Sequence, residues 1–189
     1  PGQTVKDFEA SLRWAVHLPV NHMSIYSLIL EDGTRMAQLA ERGQLACPSE
    51  EESWAMYQAM CRILPAYGFE RYEISSFARK GYRSRHNQKY WELSDYLGLG
   101  PAACSRIGRT RTENTPGVRL YEKELLTGHP PHQEVETLSA TDEMEEYCFL
   151  HLRMKEGIPL DGFRKRYGAD ITHWYGDAVK MLKERKLLK

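Results

Sequence analysis

No run of apolar residues in this chain approaches the roughly 20 that a helix needs to cross a bilayer. A secretory leader pattern is missing as well, so a cytoplasmic protein is expected. There is no excess of either charge: 26 Lys and Arg meet 26 Asp and Glu. Neither nucleic acid nor an anionic membrane would be drawn by the chain's overall field. Cysteine is scarce, and Cys47, Cys61, Cys104 and Cys148 form no Cys-x-x-Cys pair. That spacing offers no local metal clamp and fits free thiols in a reducing compartment. Internal repeats, a phosphate-binding Walker loop, Gly-x-Ser-x-Gly and His-Glu-x-x-His are all absent.

What is present is the composition of a folded protein, 41% apolar and 28% charged over 189 residues. The chain starts without Met, directly on a helix-start signal, which predicts a piece of a longer protein. Thr4 and Asp7 have the form of a capping box, and Val5, Phe8, Leu12, Ala15 and Val16 then share one helical face. After Pro19, residues 22–30 read as a strand. Residues 34–42 read as a short helix closed by Gly43. Ser49 opens a longer helix with Trp54, Tyr57, Cys61 and Leu64 on one side, and residues 71–75 read as a second strand. Helix and strand in alternation, with short connections, predict βα units on a parallel sheet.

Beyond Gly100 the pattern changes. Residues 106–112 alternate polar and apolar, 121–126 read as a short helix, and His129-Pro-Pro-His132 as a rigid connector. From Thr141 helical spacing dominates: an apolar helix around Tyr147, a second over 160–167 closed by Gly168, and a third over 171–185. Ile171, Trp174, Tyr175, Ala178 and Leu182 form the last helix's expected buried stripe. Its basic residues cluster at the C-terminal end, where they complement the helix dipole, so a DNA-binding reading is disfavoured. The expected division is residues 1–112, a linker over 113–134, and a helical domain over 135–189.

The densest chemistry lies in Arg85-His-Asn-Gln-Lys-Tyr-Trp-Glu-Leu-Ser-Asp95, inside a basic loop that follows the second predicted strand. Sites in βα folds gather after the carboxyl ends of strands. A neutral imidazole at His86 could ligate a transition metal, with Tyr90 and Trp91 as flat apolar walls. It could equally be a structural histidine in a loop anchored by its aromatics. Gly98 and Gly100 could cradle a phosphate or serve tight packing. Glu73 could be a general base or the partner of Arg71 or Arg85.

The order of several strings adds a resemblance. Ser24-Ile-Tyr-Ser-Leu28, Asp32-Gly-Thr34, Tyr72-Glu-Ile-Ser-Ser-Phe-Ala78, His86-Asn-Gln-Lys-Tyr-Trp91 and Asp95-Tyr-Leu-Gly-Leu-Gly100 resemble the oxygen-independent coproporphyrinogen III oxidase-like radical SAM family (HemN/HemW). The intact His-Asn-x-x-Tyr-Trp string is closest to its HemW haem-chaperone branch. The resemblance implies an α/β fold: the C-terminal part of a radical-SAM partial (β/α)6 TIM-type barrel, then a small, mainly helical C-terminal domain. It implies haem binding by His86, with His86 as the metal ligand and Asn87, Tyr90 and Trp91 completing the site. Ile29 and Cys104 would line an S-adenosylmethionine pocket. Charge alone, apart from the resemblance, makes Arg83 and Arg85 candidate partners for haem propionates. The Cys-x3-Cys-x2-Cys ligands of the family's [4Fe-4S] cluster are not in these 189 residues, so radical chemistry is not expected of this chain alone.

The expected function is therefore the C-terminal half of a haem chaperone that passes haem to acceptor proteins. The alternatives are a coproporphyrinogen III oxidase of porphyrin biosynthesis and a non-catalytic protein-interaction module, which leaves enzymatic activity open. Haem or another porphyrin and haem-acceptor proteins are the expected partners. An unpaired strand edge in a partial barrel also predicts self-association, a homodimer being its simplest form.

Overall fold

The computed structural model describes residues 1–188, apart from the side chain of Glu134. The chain falls into two compact units, Pro1–Ser84 and Arg85–Lys189. In the first, helix α1 (Val5–Ala15) begins on the Thr4–Asp7 capping box, strand β1 is His22–Ser24, and helix α2 is Arg35–Glu41. Helix α3 (Glu50–Ala66) starts on a second capping box, Ser49 with Glu52. These reciprocal bonds satisfy amide donors that a helix start leaves orphaned. Leu12 and Val16 of α1 then pack on Ala59, Met60, Ile63 and Leu64 of α3. Trp54, grouped with Leu64 on one side of this helix by the sequence pattern, is exposed.

The strands do not pair as the alternation predicted. Strand β2 (Glu70–Arg71) and strand β3 (Ser76–Ala78) are antiparallel, and β1 pairs antiparallel with the other side of β3. The segment expected to be one strand over 71–75 instead contains a reversal. The Tyr72 amide donates to the Ser76 carbonyl at 3.2 Å, and the Ser75 amide donates to Glu73 Oε1 at 3.0 Å. Glu73 is therefore a buried turn-former, while Arg71 donates to the Tyr57 hydroxyl instead. The strand expected over 22–30 stops at Ser24. Beyond it Tyr26, Leu28 and Ile29 are exposed.

The second unit starts with helix α4 (Arg85–Trp91), where a loop was expected. The helix closes through Leu93, whose φ of 53° puts a non-glycine residue in the left-handed region. The Ser94 amide reaches back to the Lys89 carbonyl at 2.9 Å, a Schellman-type ending. Strands β4 (Cys104–Ile107), β5 (Thr110–Asn114) and β6 (His132–Thr137) form an antiparallel sheet, with helix α5 (Val118–Leu126) between β5 and β6. Residues 113–134, expected as a linker, thus carry the end of β5, α5 and the start of β6. Helices α6 (Ala140–His151), α7 (Leu160–Tyr167) and α8 (Ile171–Glu184) follow. Leu93, Met144, Tyr147 and Phe163 form their core. Only part of the expected α8 stripe packs there: Ile171 and Tyr175 do, whereas Trp174 is exposed.

All four cysteines are free thiols, and burial pushes Cys148 up to about 11, as expected for a packed and unreactive residue. Among the described residues no helix is long and apolar enough to cross a membrane. Gly98 is explained by packing. A Cβ there would stand 2.3 Å from the Cys104 carbonyl oxygen, and the Asn114 amide group ties the Gly100 carbonyl at 2.8 Å.

Two outcomes test these packing arguments. Gly98→Ala should destabilise the chain by about 1–3 kcal/mol in urea denaturation, because backbone must shift to admit one carbon. Burial holds the His151 imidazole below its ordinary value of 6.5, against the opposing hydrogen bond to the Tyr147 carbonyl. The unfolded chain therefore binds the proton more readily, and stability falls as pH drops below 6.5. His151→Gln should flatten the fall in denaturation midpoint between about pH 7 and pH 5. An unchanged slope would refute that role.

Candidate functional site

Helix α4 sets the geometry of the site. Residues four apart on a helix share a face, so His86 and Tyr90 meet edge-to-face with ring centroids 5.0 Å apart. Tyr96, brought back by its bridge to Arg106, continues the row 4.7 Å from Tyr90. Burial pushes the Tyr96 phenol up, with Arg111 acting in the opposite direction, so it remains a neutral hydroxyl at physiological pH. His86 itself is exposed, and among the described residues no hydrogen-bond partner faces its ring nitrogens. An imidazole of this kind can offer a lone pair outward.

Trp91 does not join that outer row. The Arg153 guanidinium lies 4.3 Å over its ring, and its indole Nε1 is buried. With Tyr90 and Tyr96 it lines an inner cavity of about 230 Å³. Asn87 is half-buried on the same helix. The structure thus brings His86, Tyr90 and Tyr96 into one row and turns Trp91 toward the cavity. Ile29, 73% exposed, lies in the first unit on the extended stretch after β1; Cys104 is an exposed thiol at the start of β4. Neighbouring residues Ile25, Tyr26 and Leu28 line a pocket of about 220 Å³ from which Ile29 itself is absent. Arg83 stacks over Tyr72 at 5.3 Å, and Arg85 is exposed at the first position of α4.

Sequence reasoning missed the charged groups of the cavity wall. Arg106 is 2% exposed on β4 while its neighbour Ile107 points outward, the reverse of what hydrophobicity alone predicts. Its Nη1 donates to the Leu93 carbonyl at 3.1 Å, and the carboxylates of Asp95 and Glu143 stand 3.7 and 3.6 Å away. Arg111 pairs with Glu136 at 2.9 Å and with Glu146. The available signal was Glu143 and Glu146, two of the four acidic residues of α6 and three apart on one helical face. Inward carboxylates require buried cations.

The exposed imidazole of His86 could give one bond to an external metal. The donor set does not fit an iron–sulfur cluster: among the described residues no three His, Cys, Asp or Glu side chains gather as metal ligands.

Comparison with known proteins gives this geometry a context. Residues 138–189 match the model of the HemN C-terminal domain. The haem chaperone HemW of Bacillus subtilis is 35% identical over 188 residues, covering all of this chain and 50% of that protein. HemW of Lactococcus lactis is 34% identical, covering all of this chain and 49% of its own length. The chain therefore spans about half the length of the curated relatives it matches. Among solved structures, the coproporphyrinogen III oxidase HemN of Escherichia coli, described as a radical SAM enzyme, matches with a TM-score of 0.72. That match covers 96% of this chain and 44% of HemN at 16% identity, which establishes a shared fold. Along its whole length the chain is thus similar in sequence to the HemW haem chaperones, it shares the fold of HemN, and its residues 138–189 match the HemN C-terminal domain.

Proposed function

We propose that this chain is the haem-holding part of a cytoplasmic haem chaperone of the HemW type, with His86 as the axial ligand of the haem iron. The observation that carries this reading is the exposed imidazole of His86, set edge-on against Tyr90 with its nitrogens uncommitted. Haem is cargo here: its iron accepts one lone pair, and its apolar face needs aromatic surface, which the mutually tilted rings of Tyr90 and Tyr96 offer. A single protein ligand in an open position suits transfer. A cargo held through one bond on an exposed face can pass to an acceptor protein without unfolding its carrier.

Asn87 and Trp91 support the site from behind, Asn87 from within α4 and Trp91 from the cavity side. In the longer protein, Ile29 and Cys104 would contact S-adenosylmethionine, and a [4Fe-4S] cluster would be held by residues outside this chain. The relatives named as haem chaperones, matched over the entire chain at 34–35% identity, favour carriage over oxidation of coproporphyrinogen.

Titration with haem should produce a saturable Soret shift. His86→Ala should weaken binding at least about tenfold, equivalent to 1.4 kcal/mol, and alter the ligand-field bands, with secondary structure unchanged by circular dichroism. An identical spectrum and affinity for His86→Ala would exclude it as the ligand. Conversion of coproporphyrinogen by the longer, cluster-loaded protein would overturn the chaperone reading.

A further inference from the structure

The cavity lined by Tyr90, Trp91, Tyr96, Arg106, Arg111 and Glu146 holds polar atoms that its own walls leave unsatisfied. Nε and Nη2 of Arg106, Nε1 of Trp91 and Oε2 of Glu146 are all buried without a hydrogen-bond partner. Buried polar groups in this state cost about 1–3 kcal/mol each, more when charged. A cluster of them around one cavity points to an occupant.

The chemistry of the three donors narrows what that occupant is. Nε–H and Nη2–H lie on the same side-on edge of a guanidinium, the edge that matches both oxygens of a carboxylate. Arg106 uses its other nitrogen, Nη1, for the Leu93 carbonyl, so its fork is fixed in direction. The two nearest carboxylates are otherwise engaged. Glu143 pairs with Arg166, and its oxygen stays 3.6 Å from Nη2. Asp95 accepts the Gly108 amide at 2.8 Å and stays 3.7 Å from Nη1. The Trp91 indole adds a third donor on the same cavity.

We propose that this cavity is a carboxylate-binding subsite, in which the side-on edge of Arg106 and the indole N–H of Trp91 hold the two oxygens of an incoming carboxylate. Glu146 opposes a second negative charge, although Arg111 holds its other oxygen. Its free Oε2 takes a bridging water. A volume of about 230 Å³ accommodates a carboxylate with several waters of about 30 Å³ each. Two sources share this chemistry. One is a propionate arm of the tetrapyrrole held at His86, reached along the Tyr90–Tyr96 side of the cavity, and this source rests on the function proposed above. The other is a free small carboxylic acid, which does not.

The indole ¹⁵N signal of Trp91, assigned by Trp91→Phe, reports on the site directly. Sodium acetate should move it saturably, and sodium chloride at equal ionic strength should not. Arg106→Lys keeps the charge and loses the fork, and should weaken acetate at least about tenfold. Glu146→Gln removes the opposing charge and should tighten acetate severalfold, so the proposal stays testable even if Arg106→Lys misfolds. Haem and haem dimethyl ester then separate the sources. A tenfold weaker ester, together with displacement of acetate by haem, supports the propionate arm. Equal binding of the two, with acetate still bound, supports a free acid. A Trp91 signal that responds to acetate in a protein that binds no haem would overturn the chaperone reading and keep the subsite. No saturable carboxylate response beyond chloride would overturn the subsite and leave a cavity filled by water alone.

Discussion

Arg106 places a permanent positive charge where only 2% of the residue meets solvent, and the second unit is arranged around that constraint. Removing such an ion from water costs several kcal/mol, which its surroundings offset only through hydrogen bonds and nearby opposite charge. The Leu93 carbonyl supplies one bond, which requires α4 to end in a left-handed residue there. Asp95 and Glu143 supply charge from either side, linking the end of α4 to α6. The bridge from Arg106 to Tyr96 then fixes where the third ring of the His86 row stands. One buried guanidinium thus sets both an outer aromatic row and an inner cavity.

Features decided within a few residues were legible in the sequence. Thr4 with Asp7, and Gly168 after Tyr167, specify helix boundaries by local hydrogen bonds and by one residue's access to positive φ, and the structure has both. Strand direction was not legible. β1, β2 and β3 are two or three residues long, too short for alternation to register, and the reversal at Tyr72–Ser75 depends on a buried carboxylate bonding an amide two residues on. Helix α4 was read as a loop because seven residues give an apolar period too little length. Its termination uses leucine where glycine is the usual signal.

The site divided along the same line. His86 and Tyr90 could be singled out as candidates because unusual side chains crowd one segment. The cavity behind them depends on Arg106, Arg111 and Glu146, drawn from three elements spread across 41 residues of sequence, numbers 106 to 146. Arg106 even opposes the hydrophobic pattern, with Ile107 outward and the cation inward. Pairing of charges across a fold leaves no local signature, so only the three-dimensional arrangement shows it.

Helix α4 spans seven residues, about two turns, and a helix that short does not hold its shape in water unaided. Its conformation is lent to it by Leu93, by the Schellman bond at its end and by the stacking of Arg153 on Trp91. The His86 face therefore owes its shape to contacts at the far end of the helix. Loosening the end of α4 would move His86 and Tyr90 together, because the two rings stand on the same two turns.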